Sequence, residues 1–276
     1  MNKVTLEPQQ VLLLLDISSD NPIPEDEVMA RLPECSERVV LRLSKFGVSP
    51  TTRGQVWSRW REMTLGIDAM LAKAQASTNP RRTTHCYVAG RASLPLFAYL
   101  GLRRGRQAGV LTVINQRENG EWDVVPTHPH GDGMSVPQFF RDPEFIPGER
   151  PDGHLAVVVS TGYPVLHEAI AGYFARHRVG HAGTVVLETE KGAARWLGEE
   201  TAPAAVEQIS ELFRDLRRFE RRARGVALFV AGPAPLAVMA GRFLSPNIHK
   251  PIWIPAHDAG TYRDAINWPR GAVHGG

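Results

Sequence analysis

Apolar positions follow two different rhythms along this chain. Up to about residue 80 the spacing predicts helices. Gln9 to Ile17 carries Val11, Leu12, Leu14 and Leu15 on one face, and a polar break, SSDNPIP, follows. Pro24 with Glu25, Asp26 and Glu27 then forms an acidic first turn, where carboxylates suit the positive end of a helix. That short helix runs to Leu32 and stops at Pro33. A third, from Glu34 to Phe46, turns Val39, Val40 and Leu43 inward and ends at Gly47. From Thr84 onward short apolar strands alternate with helices. Strands are predicted at HCYVAG (85–90), AGVLTVINQ (108–116), EWDVV (121–125), HLAVVVSTG (154–162), GTVVLET (183–189), VALFVAG (226–232) and KPIWIPA (250–256). Helices are predicted over 94–103, 164–178, 203–222 and 235–243, with Val206, Ile209, Leu212, Phe213, Leu216 and Phe219 striping the third of these. Buried strands alternating with helices imply an α/β fold with a largely parallel sheet.

The expected organisation is therefore a small all-α domain over residues 1–80 and an α/β domain over 84–270. The order helix, acidic-capped short helix, longer helix and Gly has the form of a helix-turn-helix. Such a module would lay Ser36, Arg38, Arg42 and Lys45 on DNA; the plainer alternative is a three-helix packing or protein-docking module. Gly54 to Ala76 is a further amphipathic segment whose Trp57 and Trp60 suit a core or a partner contact, and AQASTNPRR (74–82) has the composition of a linker.

Composition narrows the function classes. Lys plus Arg is 32 against 29 Asp plus Glu, a net charge of only +3, so the surface as a whole is not built to coat a polyanion. The two cysteines, Cys35 and Cys86, make no disulfide framework and suit a reducing compartment. The start, MNKVTLEPQQ, lacks the features of a signal peptide, and no apolar run reaches the ~20 residues of a membrane span, so a cytoplasmic location without membrane contact is expected. No G-x-x-x-x-G-K-[ST], G-x-G-x-x-G or G-x-S-x-G occurs, so P-loop, dinucleotide and esterase chemistry lack support and no cofactor is expected. In VVLETEK, Thr189 stands where a nuclease-type acid-x-Lys would need its carboxylate. His177 and His181 lack a third ligand nearby, so no metal is expected. His128 and His130 fall in a Gly/Pro-rich loop. Arg214, Arg217, Arg218, Arg221, Arg222 and Arg224 cluster where a helix ends among carboxylates, which reads as a solvated face or a protomer contact before a nucleic-acid contact.

One unit is used twice. HCYVAGRASLPLFAYLG and ALFVAGPAPLAVMAGRF share Val-Ala-Gly and a Leu-rich helix, aligning Val88 with Val230, Ala92 with Ala234 and Leu94 with Leu236. These segments, together with VLTVINQ…GEWDVV, VVVSTGYPVLHEAI and the ending KPIWIPAHDAGTYRDAI, resemble the SAVED family of bacterial antiphage systems (CBASS and type III CRISPR). The resemblance runs from Thr84 to Trp268. It implies two fused CARF/Rossmann-like lobes that bind a cyclic oligonucleotide, commonly a cyclic tri- or tetra-adenylate, and switch an effector or drive self-assembly.

The residues suit such a ligand. Gly90-Arg91-Ala92-Ser93, Ser160-Thr161-Gly162-Tyr163 and Gly232-Pro233-Ala234 each follow a strand and open a helix, where main-chain amides hold phosphates and doubly wound sheets bind ligands. Ser93, Ser160 and Thr161 add hydroxyls, and Arg91 offers a phosphate clamp. Tyr163, Trp253, His257 and Tyr262 are candidates for stacking on bases, and Lys191 with Gly192 for covering a phosphate. Against this stands the plain role of Gly90 and Gly232 in tight turns and of Trp253 in the core. The expected function is a non-catalytic receptor that self-assembles or signals to a separate effector protein through residues 1–80. The alternatives are a ligand-responsive DNA-binding regulator and a ring nuclease, for which placing a ribose 2′-hydroxyl in line with its phosphate would be enough.

Overall fold

Gln9–Asp16 is a strand, β1, in the computed structural model, which describes residues 8–17, 23–48, 59–105, 110–116, 121–128, 138–163, 165–190 and 197–269. Its leucines, Leu12 to Leu15, are wholly buried, so both faces of the strand are covered and no amphipathic period exists to be read. After the single-turn helix α1 (Glu25–Met29) comes a second strand, β2 (Arg38–Arg42), then a 3₁₀ turn over Leu43–Phe46 that Gly47 closes at φ +78°. The helix-turn-helix expectation is overturned. Arg38 donates to the Gln10 side chain (2.8 Å), and Arg42 pairs with Asp16 (2.7 Å) and Glu25. Two of the expected DNA-reading residues are thus spent on internal partners.

The first sheet continues with β3 (Thr84–Arg91), β4 (Val110–Gln116) and β5 (Trp122–Pro126), in the order β2-β1-β3-β4-β5. All neighbours are parallel except the antiparallel β4–β5 hairpin. Ile23, Val28 and Leu32 pack with Leu12, Leu14, Tyr87, Ala89 and Ile114 on one face. Helix α2 (Trp60–Ala76) closes on the 3₁₀ turn at Gly66, where any Cβ would stand 2.5 Å from Val48 Cγ2. Residues 74–82 are the end of α2 and the turn into β3, not a linker between domains.

The second sheet comprises β6 (Glu144–Pro147), β7 (His154–Ser160), β8 (His181–Glu188), β9 (Gly225–Ala231), β10 (Ile252–Asp258) and β11 (Thr261–Trp268). Their order is β11-β10-β9-β7-β8-β6, parallel through β10, β9, β7 and β8 and antiparallel at both edges. Helix α4 (His167–Arg176) lays Ile170, Tyr173 and Phe174 on Ala156, Val158, Ala227 and Phe229. Helix α5 (Ala202–Asp215) buries the predicted stripe of Val206, Ile209, Leu212 and Phe213.

By chain contacts one unit comprises 1–92 and 106–128, and the other 93–105 and 129–276. Taken one at a time, the two sheets have the same plan: β8-β7-β9-β10-β11 repeats the order β2-β1-β3-β4-β5. The duplicated sequence unit therefore occupies equivalent places, β3 followed by α3 (Leu94–Arg104) and β9 followed by α6 (Ala234–Phe243). Within the second unit α3 and α6 pack backbone to backbone. A Cβ on Gly101 would overlap the Val238 carbonyl, and one on Gly241 would overlap the Ala98 carbonyl. This contact equates Ala98 with Val238 and Gly101 with Gly241, two residues out of step with the Leu94–Leu236 match seen in sequence. Gly90 accordingly lies within β3, opposite Leu15, whereas Gly232 lies beyond the end of β9.

Candidate functional site

Where a parallel sheet is wound outward in both directions, ligands bind outside the carboxyl ends of the strands flanking the reversal. In the second sheet those strands are β7 and β9. The ladder extends one residue past β7 and past β8: the Thr161 N–H donates to the Ala231 carbonyl (3.0 Å), and the Thr189 N–H donates to the Ser160 carbonyl (3.2 Å). Continuing the register of β8, β7 and β9 sets Thr189, Thr161 and Gly232 in one row across the tips. Both threonines are buried, at 4% and 0% exposure, and among the described residues neither hydroxyl has a hydrogen-bond partner. A hydroxyl left so costs ~1–3 kcal/mol. Gly232 suits this crowding, since a Cβ there would stand 2.5 Å from Thr161 Oγ1 and 2.8 Å from Leu236 Cδ2, so those side chains would have to move.

The turn itself is set by neighbouring residues. The Ser160 hydroxyl donates to the Tyr163 carbonyl and Gly162 takes φ +85°. Ser160 is therefore a turn-closing donor, not the open hydroxyl expected from sequence. Tyr163 projects outward at 47% exposure, available for stacking.

The helix starts offer fewer amides than the sequence argument assumed. Helix α3 is preceded by Ser93, whose hydroxyl makes no capping bond, and carries Pro95 in its first turn; α6 is preceded by Pro233 and carries Pro235. Proline has no N–H. Leu96 and Leu236, the next in line, donate to the Ser93 and Pro233 carbonyls. Few first-turn donors remain for phosphate, so Gly232-Pro233-Ala234 is a weak amide cradle, while Ser93 keeps a side-chain donor.

At the corresponding reversal of the first sheet, between β1 and β3, the chemistry is charged. Arg91 ends β3 in register with Asp16, which ends β1, and Ala92 follows it. Asp16 is held by Arg42, at 2.7 Å. This Asp16–Arg42 pair is absent from the sequence reading; the signal was an apolar run ending in an acid, QVLLLLD, which marks a strand tip once the run is recognised as β.

Two predicted stackers are core residues. Trp253 is 3% exposed near the start of β10, stacked on His154 at 4.3 Å and edge-on to Tyr173. Tyr262 is 4% exposed and packs on Phe229 at 4.8 Å, and burial pushes its phenol pKa up to about 12. Neither can stack on a ligand without unpacking the sheet. His257 is exposed near the carboxyl end of β10 and remains a candidate. Lys191 and Gly192, like His130, lie outside the described residues. His181 is engaged with the core: it stacks on Phe174 (4.7 Å) and bonds Thr184 Oγ1 (3.0 Å). Among the described residues no group of three His, Cys, Asp or Glu is placed to hold a metal, and no helix is long and apolar enough to cross a membrane.

A family model described as "SMODS-associated and fused to various effectors sensor domain" matches residues 69–267. The chain belongs to the SAVED family. The match begins inside α2, upstream of the boundary expected at Thr84. No protein of curated function matches the chain. Among solved structures, the Cap4 SAVED/CARF-domain receptor of Acinetobacter baumannii with the cyclic trinucleotide 2′3′3′-cAAA aligns at TM-score 0.58 and 18% identity, covering 95% of this chain and 52% of that one. The same receptor with 3′3′3′-cAAA aligns at TM-score 0.56 and 18% identity, over 95% and 52%. The Cap4 receptor of Moraxella osloensis aligns at TM-score 0.53 and 15% identity, over 96% and 50%. At these identities the likeness establishes the fold, and this SAVED chain spans about half the length of those receptors.

Proposed function

We propose that this SAVED chain is a receptor for a cyclic oligoadenylate of three or four nucleotides in antiviral defence, passing on occupancy by self-assembly or to a separate effector. The observation that carries this reading is membership of a sensor family, joined to a fold shared with a receptor solved around a cyclic trinucleotide. The strand tips lend chemical support. Arg91 and Ser93 offer a guanidinium and a hydroxyl for phosphate, and Tyr163 and His257 offer exposed rings for adenine. The DNA-binding alternative loses its basis with the helix-turn-helix.

Calorimetry against 2′3′3′-cAAA, 3′3′3′-cAAA, cyclic tetra-adenylate, cyclic di-adenylate and linear tri-adenylate tests the proposal. At least one ring of three or four adenylates is expected to bind, with linear tri-adenylate far weaker, and Arg91→Ala is expected to lower affinity about tenfold. No heat from any ring ends the receptor reading. Chromatography of the bound ligand after overnight incubation should return it intact; opened rings would make the protein a ring nuclease.

A further inference from the structure

Six arginines crowd the end of α5 and the turn into β9. Four are matched: Arg214 and Arg218 by Asp215 (3.6 and 3.2 Å), Arg222 by Glu220 (3.6 Å) and Arg224 by Asp152 (3.1 Å). Among the described residues Arg217 and Arg221 pair with no carboxylate, and both are exposed. These two alone of the six line a cleft of about 140 Å³. Its apolar wall is formed by Leu155, Leu216 and Val226, each at most 5% exposed, and Ile248 joins the lining at 55% exposure. Leu155 and Val226 stand at the amino ends of β7 and β9, so the cleft lies at the opposite end of the sheet from the tips discussed above.

Size and charge decide what fits. A cavity of ~150 Å³ accommodates a single benzene ring, while small-molecule sites begin near ~300 Å³. The cleft therefore takes one side chain and is too small for a nucleotide. Glu220, also in the wall, already accepts the Arg222 backbone N–H (2.9 Å) and pairs with its guanidinium. That leaves two unmatched guanidiniums beside an apolar socket. Guanidinium forks match carboxylates, and a side chain seated in a desolvated pocket is the usual energetic anchor of a protein contact. A nucleic acid strand would need an accessible stacking face, and the one ring in the wall, His249, is buried against Phe213. We infer that this cleft docks a short segment of a partner protein in which an aliphatic or aromatic side chain is flanked by carboxylates.

Selection of a random phage-displayed peptide library on the whole chain tests this, followed by anisotropy titration of the enriched peptides. Enrichment of Asp or Glu beside Leu, Ile or Phe is expected. Affinity should fall about tenfold or more in R217E/R221E and in I248E, and change less than about twofold in R214Q/R218Q, whose charges are already matched. The altered side chains are exposed, so all variants should keep the parent melting temperature. Enriched peptides without carboxylates, affinity unchanged in R217E/R221E, or displacement of the peptides by a short polyadenylate RNA would overturn the assignment. The outcome does not depend on what the strand tips bind.

Discussion

β1 and β7 occupy the same place in two sheets of the same plan, yet one is legible in the sequence and the other is not. Each is flanked by parallel neighbours on both sides, β7 buried through its length and β1 at all but its two end residues. A strand covered on both faces loses its alternation, so residue type must carry the signal. HLAVVVS is rich in Val, whose β-branching favours strands; QQVLLLLD is rich in Leu, among the best helix formers. Tertiary context overrode that preference. The lesson extends to the charged residues, because a misread strand turns its neighbours into false surface. Arg42 reads as a DNA contact on an assumed helix, and in the sheet it holds Asp16 and Glu25.

Breaking the equivalence of β1 and β7 gives the largest expected effect. Leu13 lies off the apolar face of the predicted helix but is wholly buried in β1. Leu13→Ala should cost ~2–5 kcal/mol in urea denaturation. A change below ~0.5 kcal/mol would restore the helical reading. Val157→Ala in β7, equally buried, should also destabilise, by less because fewer atoms are removed.

The helix contact sharpens the comparison at a second level. Alanine at Gly101 or at Gly241 gains up to ~1 kcal/mol of helix propensity, but each new methyl meets main chain, which cannot rotate away. A net loss of ~1–3 kcal/mol is expected for either variant, with similar size if the contact is as symmetric as its geometry. Thermal melts with one variant neutral and the other severe would break the equivalence. Sequence matching finds the repeat through Val-Ala-Gly but not this register, because close packing selects a small residue at one point of a helix and leaves no longer motif to align.

The two reversals differ in chemistry where their topologies agree. One brings Arg91 beside Asp16 in register; the other presents Thr161 and Thr189, buried and unpartnered. Thr161→Val keeps the shape and removes the unsatisfied hydroxyl, so it should leave the fold unchanged or raise its stability by ~1 kcal/mol. If the hydroxyl serves a ligand, the same change should weaken cyclic oligoadenylate binding while stability rises. Calorimetry and melting on one sample separate these effects; stability and affinity falling together would assign Thr161 to packing. The loops were legible as strand–small residue–helix junctions. The prolines at 233 and 235, equally visible, already implied that few first-turn amides remain to grip a phosphate.

The smallest effect concerns acid. Burial lowers the His181 pKa below its ordinary 6.5, with His167 acting in the same direction and the Gly183 backbone and Glu149 opposing. The unfolded chain then takes up the proton first as pH falls. His181 should contribute nothing to the pH dependence above about 6.5 and progressive destabilisation below it, ending once pH passes the folded-state value. One group can supply at most ~1.4 kcal/mol per pH unit. Urea midpoints measured between pH 7.5 and 5 should decline with a shallower slope in His181→Gln than in the parent. Identical slopes would place the acid sensitivity elsewhere, and a midpoint that rises on acidification would contradict a neutral imidazole stacked on Phe174.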